Sequence, residues 1–276
     1  MKDASDALVH NPKGGMPRLL EIMARLRDPV TGCPWDMEQT WETIAPYTIE
    51  EAYEVADAIE RQAWGELKGE LGDLLLQVVY FARMGAEQGR FDFDEIADTV
   101  SDKMIARHPH VFGDESNRKS ADQQTRDWEV QKAAERDARG EQRVLDGVAL
   151  GLPALMRAQK LQKRAARVGF DWETGTQVAG KISEEAAELA EAAASRDPGA
   201  IEAEMGDMFF SLVNLSRHLG VDPERALRRA NNRFSRRFNW LESELLRQGS
   251  SPAQATLEQM DALWEAAKVA EQHGGG

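Results

Sequence analysis

Glu184-Glu185-Ala186-Ala187-Glu188 and, fifteen residues further on, Glu204-Met205-Gly206-Asp207 form the stretch on which the reading of this chain turns. Residues three apart share one face of a helix, so Glu185 and Glu188 point the same way, as do Glu204 and Asp207. Position 196 is the midpoint both of Glu188 and Glu204 and of Glu185 and Asp207, and the turn sequence Arg196-Asp197-Pro198-Gly199 stands there. Two helices folded back about that turn would set Glu185 opposite Asp207 and Glu188 opposite Glu204.

The same pattern occurs earlier in the chain. Glu50-Glu51-Ala52-Tyr53-Glu54 is followed after fifteen residues by Glu70-Leu71-Gly72-Asp73, with the symmetry falling about Gln62. A shift of 134 residues gives 12 identities in the 37 positions from 50 to 86, among them Gly65 with Gly199, Val79 with Val213 and Arg83 with Arg217. Trp35-Asp36 faces Trp172-Glu173 at a shift of 137, and Lys103 and Arg107 face Arg233 and Arg237 at a shift of 130. A period this long implies duplicated modules, not a solenoid of short repeats. The expected organisation is an N-terminal module over 1–113, a charged linker over 114–150 and a C-terminal module over 151–276.

Apolar residues recur at three- and four-residue spacing and no strand pair is recognisable, which predicts an all-α protein. Helices are expected over Met16–Arg27, Thr48–Gln62, Glu66–Gln88, Phe93–Arg107, Ala121–Arg139, Pro153–Arg167, Thr176–Ser195, Ala200–Leu219, Pro223–Arg247 and Leu257–Ala270. Met205, Met208, Phe209, Leu212 and Val213, and likewise Leu71, Leu74, Leu75, Val78 and Val79, follow helical spacing and are expected in the core. Cys33-Pro34-Trp35-Asp36 and His108-Pro109-His110 read as structural turns.

Four facing carboxylates repel, and in a partly dry site they protonate or separate unless cations neutralise them. Mg²⁺, with Mn²⁺ as a substitute, takes oxygen ligands and joins protein carboxylates to substrate phosphates. Gly72 and Gly206 lie between ligands, where a missing Cβ lets a helix or phosphate approach; each costs about 1 kcal/mol against Ala in a helix interior. Ferritin-like di-iron sites need Glu-x-x-His, and no His follows Glu51, Glu54, Glu185 or Glu188 at that spacing. From Arg225 to Arg237 the chain has six Arg and no acid, and guanidinium forks such as those of Arg233 and Arg237 suit a pyrophosphate leaving group. Lys181 precedes Glu184 and Glu185 by three and four residues, where the first copy has Tyr47, and this favours the second copy as the phosphate site.

Composition narrows the classes further. The 276 residues are 42% hydrophobic and carry a net charge of −14, which excludes a mainly disordered chain and disfavours nucleic acid or anionic lipid as partner. No apolar run reaches the roughly 18 residues of a membrane helix, Met1 to Gly15 is polar, and the single Cys33 forms no internal disulfide. A cytoplasmic location is expected.

Gly32-Cys33-Pro34-Trp35-Asp36 with Gln39-Thr40, Pro46-Tyr47 with Glu50-Glu51-Ala52-Tyr53-Glu54, Arg107-His108-Pro109-His110-Val111-Phe112-Gly113 and Val168-Gly169-Phe170-Asp171-Trp172 together resemble the two-domain bacterial members of the MazG family of nucleoside triphosphate pyrophosphohydrolases. The resemblance implies two tandem helical pyrophosphatase modules of four-helix type, a homodimer with helices of both subunits around each site, and Mg²⁺-dependent hydrolysis of NTP or dNTP to the monophosphate and pyrophosphate, as in clearance of unwanted nucleotides. It makes Glu185, Glu188, Glu204 and Asp207 metal ligands and puts Lys181, Arg233, Arg237 and Trp264 at the nucleotide. Glu184 and Glu185 are candidates to accept the proton of the attacking water, and Glu188 is the acid whose loss should abolish turnover. Glu51, Glu54, Glu70 and Asp73, with Lys103 and Arg107, form the matching N-terminal site. The alternatives are a dUTP or phosphoribosyl-ATP pyrophosphohydrolase of the same superfamily, or a non-catalytic nucleotide-binding module or dimer scaffold.

Overall fold

The computed structural model describes residues 2–113, 120, 123, 124, 127, 128, 130 and 143–274. The helix expected over Ala121–Arg139 and most of the linker expected over 114–150 lie outside the described residues. Among those residues every regular element is a helix, and the chain divides into two compact units, Met1–Gln131 and Lys132–Gly276.

The first unit contains α1 (Lys2–Val9), α2 (Gly15–Leu26), α3 (Pro34–Glu38), α4 (Trp41–Glu60), α5 (Trp64–Glu87), α6 (Phe93–Arg107) and α7 (Pro109–Phe112). Helices α4 and α5 form a hairpin, with α2 and α6 packed on α5. Helix α4 starts seven residues before the expected Thr48, because Thr40 and Thr43 make a reciprocal capping box and Pro46 is absorbed inside the helix. Cys33-Pro34-Trp35-Asp36 opens a short helix instead of a plain turn, with Cys33 at its N-cap and Asp36 buried. The core joins Met23, Ile44, Val79, Tyr80 and Met84, with Trp41 and Phe81 packed alongside. Arg27, 7% exposed, bonds Glu87 through Nη2 at 2.8 Å and through Nε at 3.1 Å, and donates to the Asp36 carbonyl at 2.5 Å. Burial pushes the Tyr80 phenol up to about 12. His108 is the turn between α6 and α7; its ring meets the edge of Trp128, whose Nε1 donates to the Arg107 carbonyl at 3.0 Å.

The second unit contains α8 (Ala154–Arg167), α9 (Gly175–Ser195), α10 (Pro198–His218), α11 (Pro223–Arg247) and α12 (Leu257–Gly274). Helices α9 and α10 form its hairpin, α8 packs on α10 and α11, and α12 lies along α11. Helix α9 is capped as α4 is, by Thr174 and Gln177, at the same shift of 134 from Thr40. Asp92 and Asp222, which cap α6 and α11, repeat at a shift of 130. Gln62 and Arg196, the pivots of the two hairpins, are the non-glycine residues of left-handed backbone among those described, with φ of 56° and 58°. The turns are held differently. Asp197 accepts from the Gly199 and Ala200 amides, whereas in the first hairpin Arg61 pairs with both Asp57 and Glu66.

The expected core on α5 and α10 is only partly a core. Val79 and Val213 are 0% and 1% exposed, but Leu71, Leu75, Val78, Met205, Phe209 and Leu212 are all exposed. Periodicity identifies an apolar face without identifying what covers it, and among the described residues much of these two faces stays exposed. Gly72 and Gly206 lie on the same open faces: an added Cβ at either meets no atom of the chain within 4 Å, so the neighbouring helix is not what they admit.

Candidate active site

The hairpins bring the acids together as the spacing requires, with some members missing. In the second unit Glu185, Glu188 and Glu204 each place a carboxylate oxygen within 4.8 Å of the others; in the first, Glu51, Glu70 and Asp73 do so. Asp207 and Glu54 fall outside those sets, though Asp207 lines the cavity beside Glu185 and Glu54 lies close enough to Glu70 to raise its carboxyl. Three hard oxygen donors at this separation suit a small divalent cation.

The electrostatics point the same way. Loss of water raises the Glu188 carboxyl above its ordinary range; Lys181 opposes this, while Glu185, Glu184 and Glu204 push it higher. In the first unit desolvation, then Asp73, Glu54, Glu50 and Glu70, raise Glu51, and desolvation with Glu54 and Asp73 raises Glu70. Glu188 in one cluster and Glu51 and Glu70 in the other hold protons more tightly than isolated acids do, and a cation would relieve that. Among the described residues, a lysine is ion-paired to the acids of the second cluster. Lys181 Nζ stands 3.0 Å from both Glu184 and Glu185, and its bonds to Glu185 and then Glu184 hold the ammonium above its usual range. Glu185 is 5% exposed, whereas Glu184 faces solvent.

Lys181, Glu185 and Asp207 border a cavity of about 600 Å³ whose wall includes Leu161, Phe170, Trp172 and Phe210. That size and mainly apolar lining are those of a small-molecule site. Gly169, at φ +85°, ends α8 with a backbone that L-residues avoid and turns Phe170, Asp171 and Trp172 to the cavity. Asp171 is bonded by Arg217, with His218 at 3.3 Å. Burial raises its carboxyl, but the Arg217 bond and charge outweigh this and leave it below its ordinary range. The sequence reading gave none of Gln162, Asp171, Asn214 and Arg217 a role; the usable signal was the recurrence of Arg83 as Arg217 in the repeat.

Arg233, Arg237 and Trp264, expected at the nucleotide, stand apart from the cavity lining. Arg237 bonds Glu271 at 2.8 Å, with its guanidinium carbon 5.8 Å from the centre of the Trp264 ring; Arg233 is exposed on the same helix. In the first unit Lys103 is exposed and Arg107 is half-buried on α6.

Two helical hairpin modules, each bearing a carboxylate cluster and one opening on a cavity large enough for a small molecule, define an all-α protein of duplicated design. The family profile described as the MazG nucleotide pyrophosphohydrolase domain matches residues 39–112 and 173–241, one segment in each unit. A relative from Escherichia coli (strain K12) named nucleoside triphosphate pyrophosphohydrolase is 51% identical over 253 residues, which is 91% of this chain and 96% of that one. Another from Thermotoga maritima, named nucleoside triphosphate pyrophosphohydrolase/pyrophosphatase MazG, is 43% identical over 250 residues, 91% of this chain and 94% of that one. The chain belongs to the MazG family.

Proposed function

We propose that the chain is a nucleoside triphosphate pyrophosphohydrolase that converts NTP or dNTP and water to the monophosphate and pyrophosphate. The observation that carries this is the meeting of the Glu185, Glu188 and Glu204 cluster with the cavity beside Lys181; the names of the relatives agree with it. Glu185, Glu188, Glu204 and Asp207 hold Mg²⁺, which when bound polarises the phosphates and activates water. Lys181 neutralises phosphate charge, and it has only to exchange its carboxylate partners for phosphate oxygens. A carboxylate of the Glu184–Glu185 pair accepts the proton of the attacking water. Arg233 and Arg237 take the departing pyrophosphate, Arg237 leaving Glu271 to do so, and Trp264 borders the nucleotide.

The exposed apolar residues on α10 and α5 support a homodimer, since patches of this kind mark association surfaces. A second copy laid on them completes the four-helix-type arrangement. The domain limits proposed are 1–113 and 151–276, joined by the linker. Among the described residues no helix is long and apolar enough to cross a membrane, and the acidic charge and single cysteine suit a cytoplasmic enzyme.

Product analysis by ion-exchange chromatography with each NTP and dNTP, in Mg²⁺ and in EDTA, tests the reading. Monophosphate and pyrophosphate formed in Mg²⁺ and lost in EDTA are expected. Diphosphate and phosphate would disprove the bond position. Turnover of dUTP or phosphoribosyl-ATP alone would favour those relatives, and nucleotide binding without product would favour a binding module.

A further inference from the structure

Helices α5 and α10 correspond residue by residue, yet their sides turned to α2 and α8 differ. At the shift of 134, Gln77 corresponds to Ser211 and Tyr80 to Asn214. Ser211 and Asn214 line the 600 Å³ cavity next to Lys181, Glu185 and Asp207. Gln77 and Tyr80 are 8% and 4% exposed. The Tyr80 ring packs into the cluster with Met23, Ile44, Val79 and Met84, and its hydroxyl donates to the Asp36 carbonyl at 2.9 Å and lies 3.1 Å from Asp36 Oδ1. Replacing a phenol by an amide and a glutamine by a serine removes about half of the side-chain atoms at these two positions.

The arginine repeated in the two helices follows the same division. Arg83 stays on its own helix, bonded to Glu87 at 2.9 Å. Arg217 donates to Asn214 on its own helix at 2.8 Å and reaches beyond α10 to bond Asp171 in the segment before α9, and all three residues line the cavity. The cavity wall also holds Gln162, 6% exposed, whose Nε2 donates to the Phe210 carbonyl at 2.8 Å while its covered Oε1 has no partner. An unused buried acceptor is costly in a finished core and is expected where a guest supplies an N–H.

We infer that positions 211 and 214 of the second module, with their counterparts 77 and 80 in the first, decide which module admits a nucleoside. Ser211 and Asn214 leave room for the base and sugar; Gln77 and Tyr80 fill that room, so the first module keeps its acids without a nucleoside pocket. The chain therefore binds one nucleoside triphosphate per polypeptide although it carries two acidic clusters. This deepens the hydrolase reading and rests on it.

The test is calorimetric titration of the full-length protein with α,β-methylene-ATP in Mg²⁺, an analogue that cannot be cut at the α/β linkage. One equivalent per chain is expected. Asn214→Tyr, alone and with Ser211→Gln, should weaken binding at least tenfold, with the helical circular dichroism and thermal midpoint confirming a folded chain. If Asn214→Tyr does not fold, Ser211→Gln alone is read instead, with a smaller loss of affinity in the same direction. Two equivalents per chain, or a folded Asn214→Tyr and Ser211→Gln double variant that binds as the unmodified protein does, overturns the inference and leaves the hydrolase reading standing. No binding by the unmodified chain overturns both.

Discussion

In the first hairpin the acids Glu51, Glu70 and Asp73 are backed by a filled interior of Tyr80, Met23 and Met84. In the second, Glu185, Glu188 and Glu204 are backed by an open cavity and faced by Lys181, where the first hairpin has Tyr47. The two share their turn pivots, the caps of their first helices and their acid spacing, so the backbone frame and the acidic ligands are separable from what decides substrate. A module can keep a cluster fit for a cation and lose the place for a nucleoside through two side chains that point away from the cluster's own sequence motif.

The largest effect that could break this comparison is at the acids. Glu188→Gln removes one charge from the second cluster and should lower kcat by at least about 100-fold. Glu54→Gln, its counterpart, should cost far less in the same steady-state assay with each variant's circular dichroism unchanged. Equal losses would make the two modules one functional unit.

The hairpins were legible in advance because both acid pairs are nested about one position, and the structure puts left-handed backbone at those very pivots, Gln62 and Arg196. The start of α4 was not, since Pro46 looks like a stop until the Thr40 and Thr43 caps are seen to begin the helix before it. The apolar faces of α5 and α10 were identified but misplaced into the core: a stripe such as Met205, Phe209 and Leu212 is the same pattern whether a neighbouring helix or a second chain covers it. The acid clusters were legible because their register is local to one hairpin. The cavity was not, because it depends on Gln162, Phe170, Asp171 and Asn214, which meet only when α8 packs on α10.

A smaller effect tests the cation of the second site. Lys181→Met removes the ammonium that bridges Glu184 and Glu185 and should lower kcat/KM by about 10- to 100-fold, the loss of one charge-assisted contact. Lys181→Arg should restore part of it. Tyr47→Lys, which gives the first module the same charge, should not create a second nucleotide site in the titration; if it does, charge and not cavity filling separates the modules.

The first module also carries an acid, Glu87, where the second has Val221 at the shift of 134. Burial disfavours the Glu87 charge, but bonds from Arg27 and Arg83 outweigh it and hold the carboxyl below its ordinary 4.5. A depressed folded pKa means that the unfolded chain binds the proton more readily, so this contribution is complete above the unfolded value and is lost as pH falls through the folded one. Glu87→Gln leaves Arg27 half-paired in the interior and should cost about 2 kcal/mol at pH 7. The difference from the unmodified protein should shrink below about pH 4, as followed by chemical denaturation across pH. A difference independent of pH would place the cost in packing, not in charge.

The smallest effect compares the pivots themselves. Gln62 and Arg196 hold φ of 56° and 58° without being glycine, a conformation that costs an L-residue about 1 kcal/mol. Glycine removes that strain but adds freedom to the unfolded chain worth about 0.5–1 kcal/mol, so each substitution should change stability by no more than about 0.5 kcal/mol. The sign separates the turns. Arg196 has Asp197 behind it, capping α10 through two amides, so the backbone stays fixed and Arg196→Gly should be neutral or slightly stabilising. At Gln62 the next helix starts from Ala63 with no side-chain cap, and the exposed Arg61 pairs with Asp57 and Glu66 are the side-chain bonds that supplement the turn's backbone bonds. There Gln62→Gly should be slightly destabilising, and more so in high salt, where those pairs are screened; matching signs in denaturation curves at low and high salt would show that the two hairpins close by the same means after all.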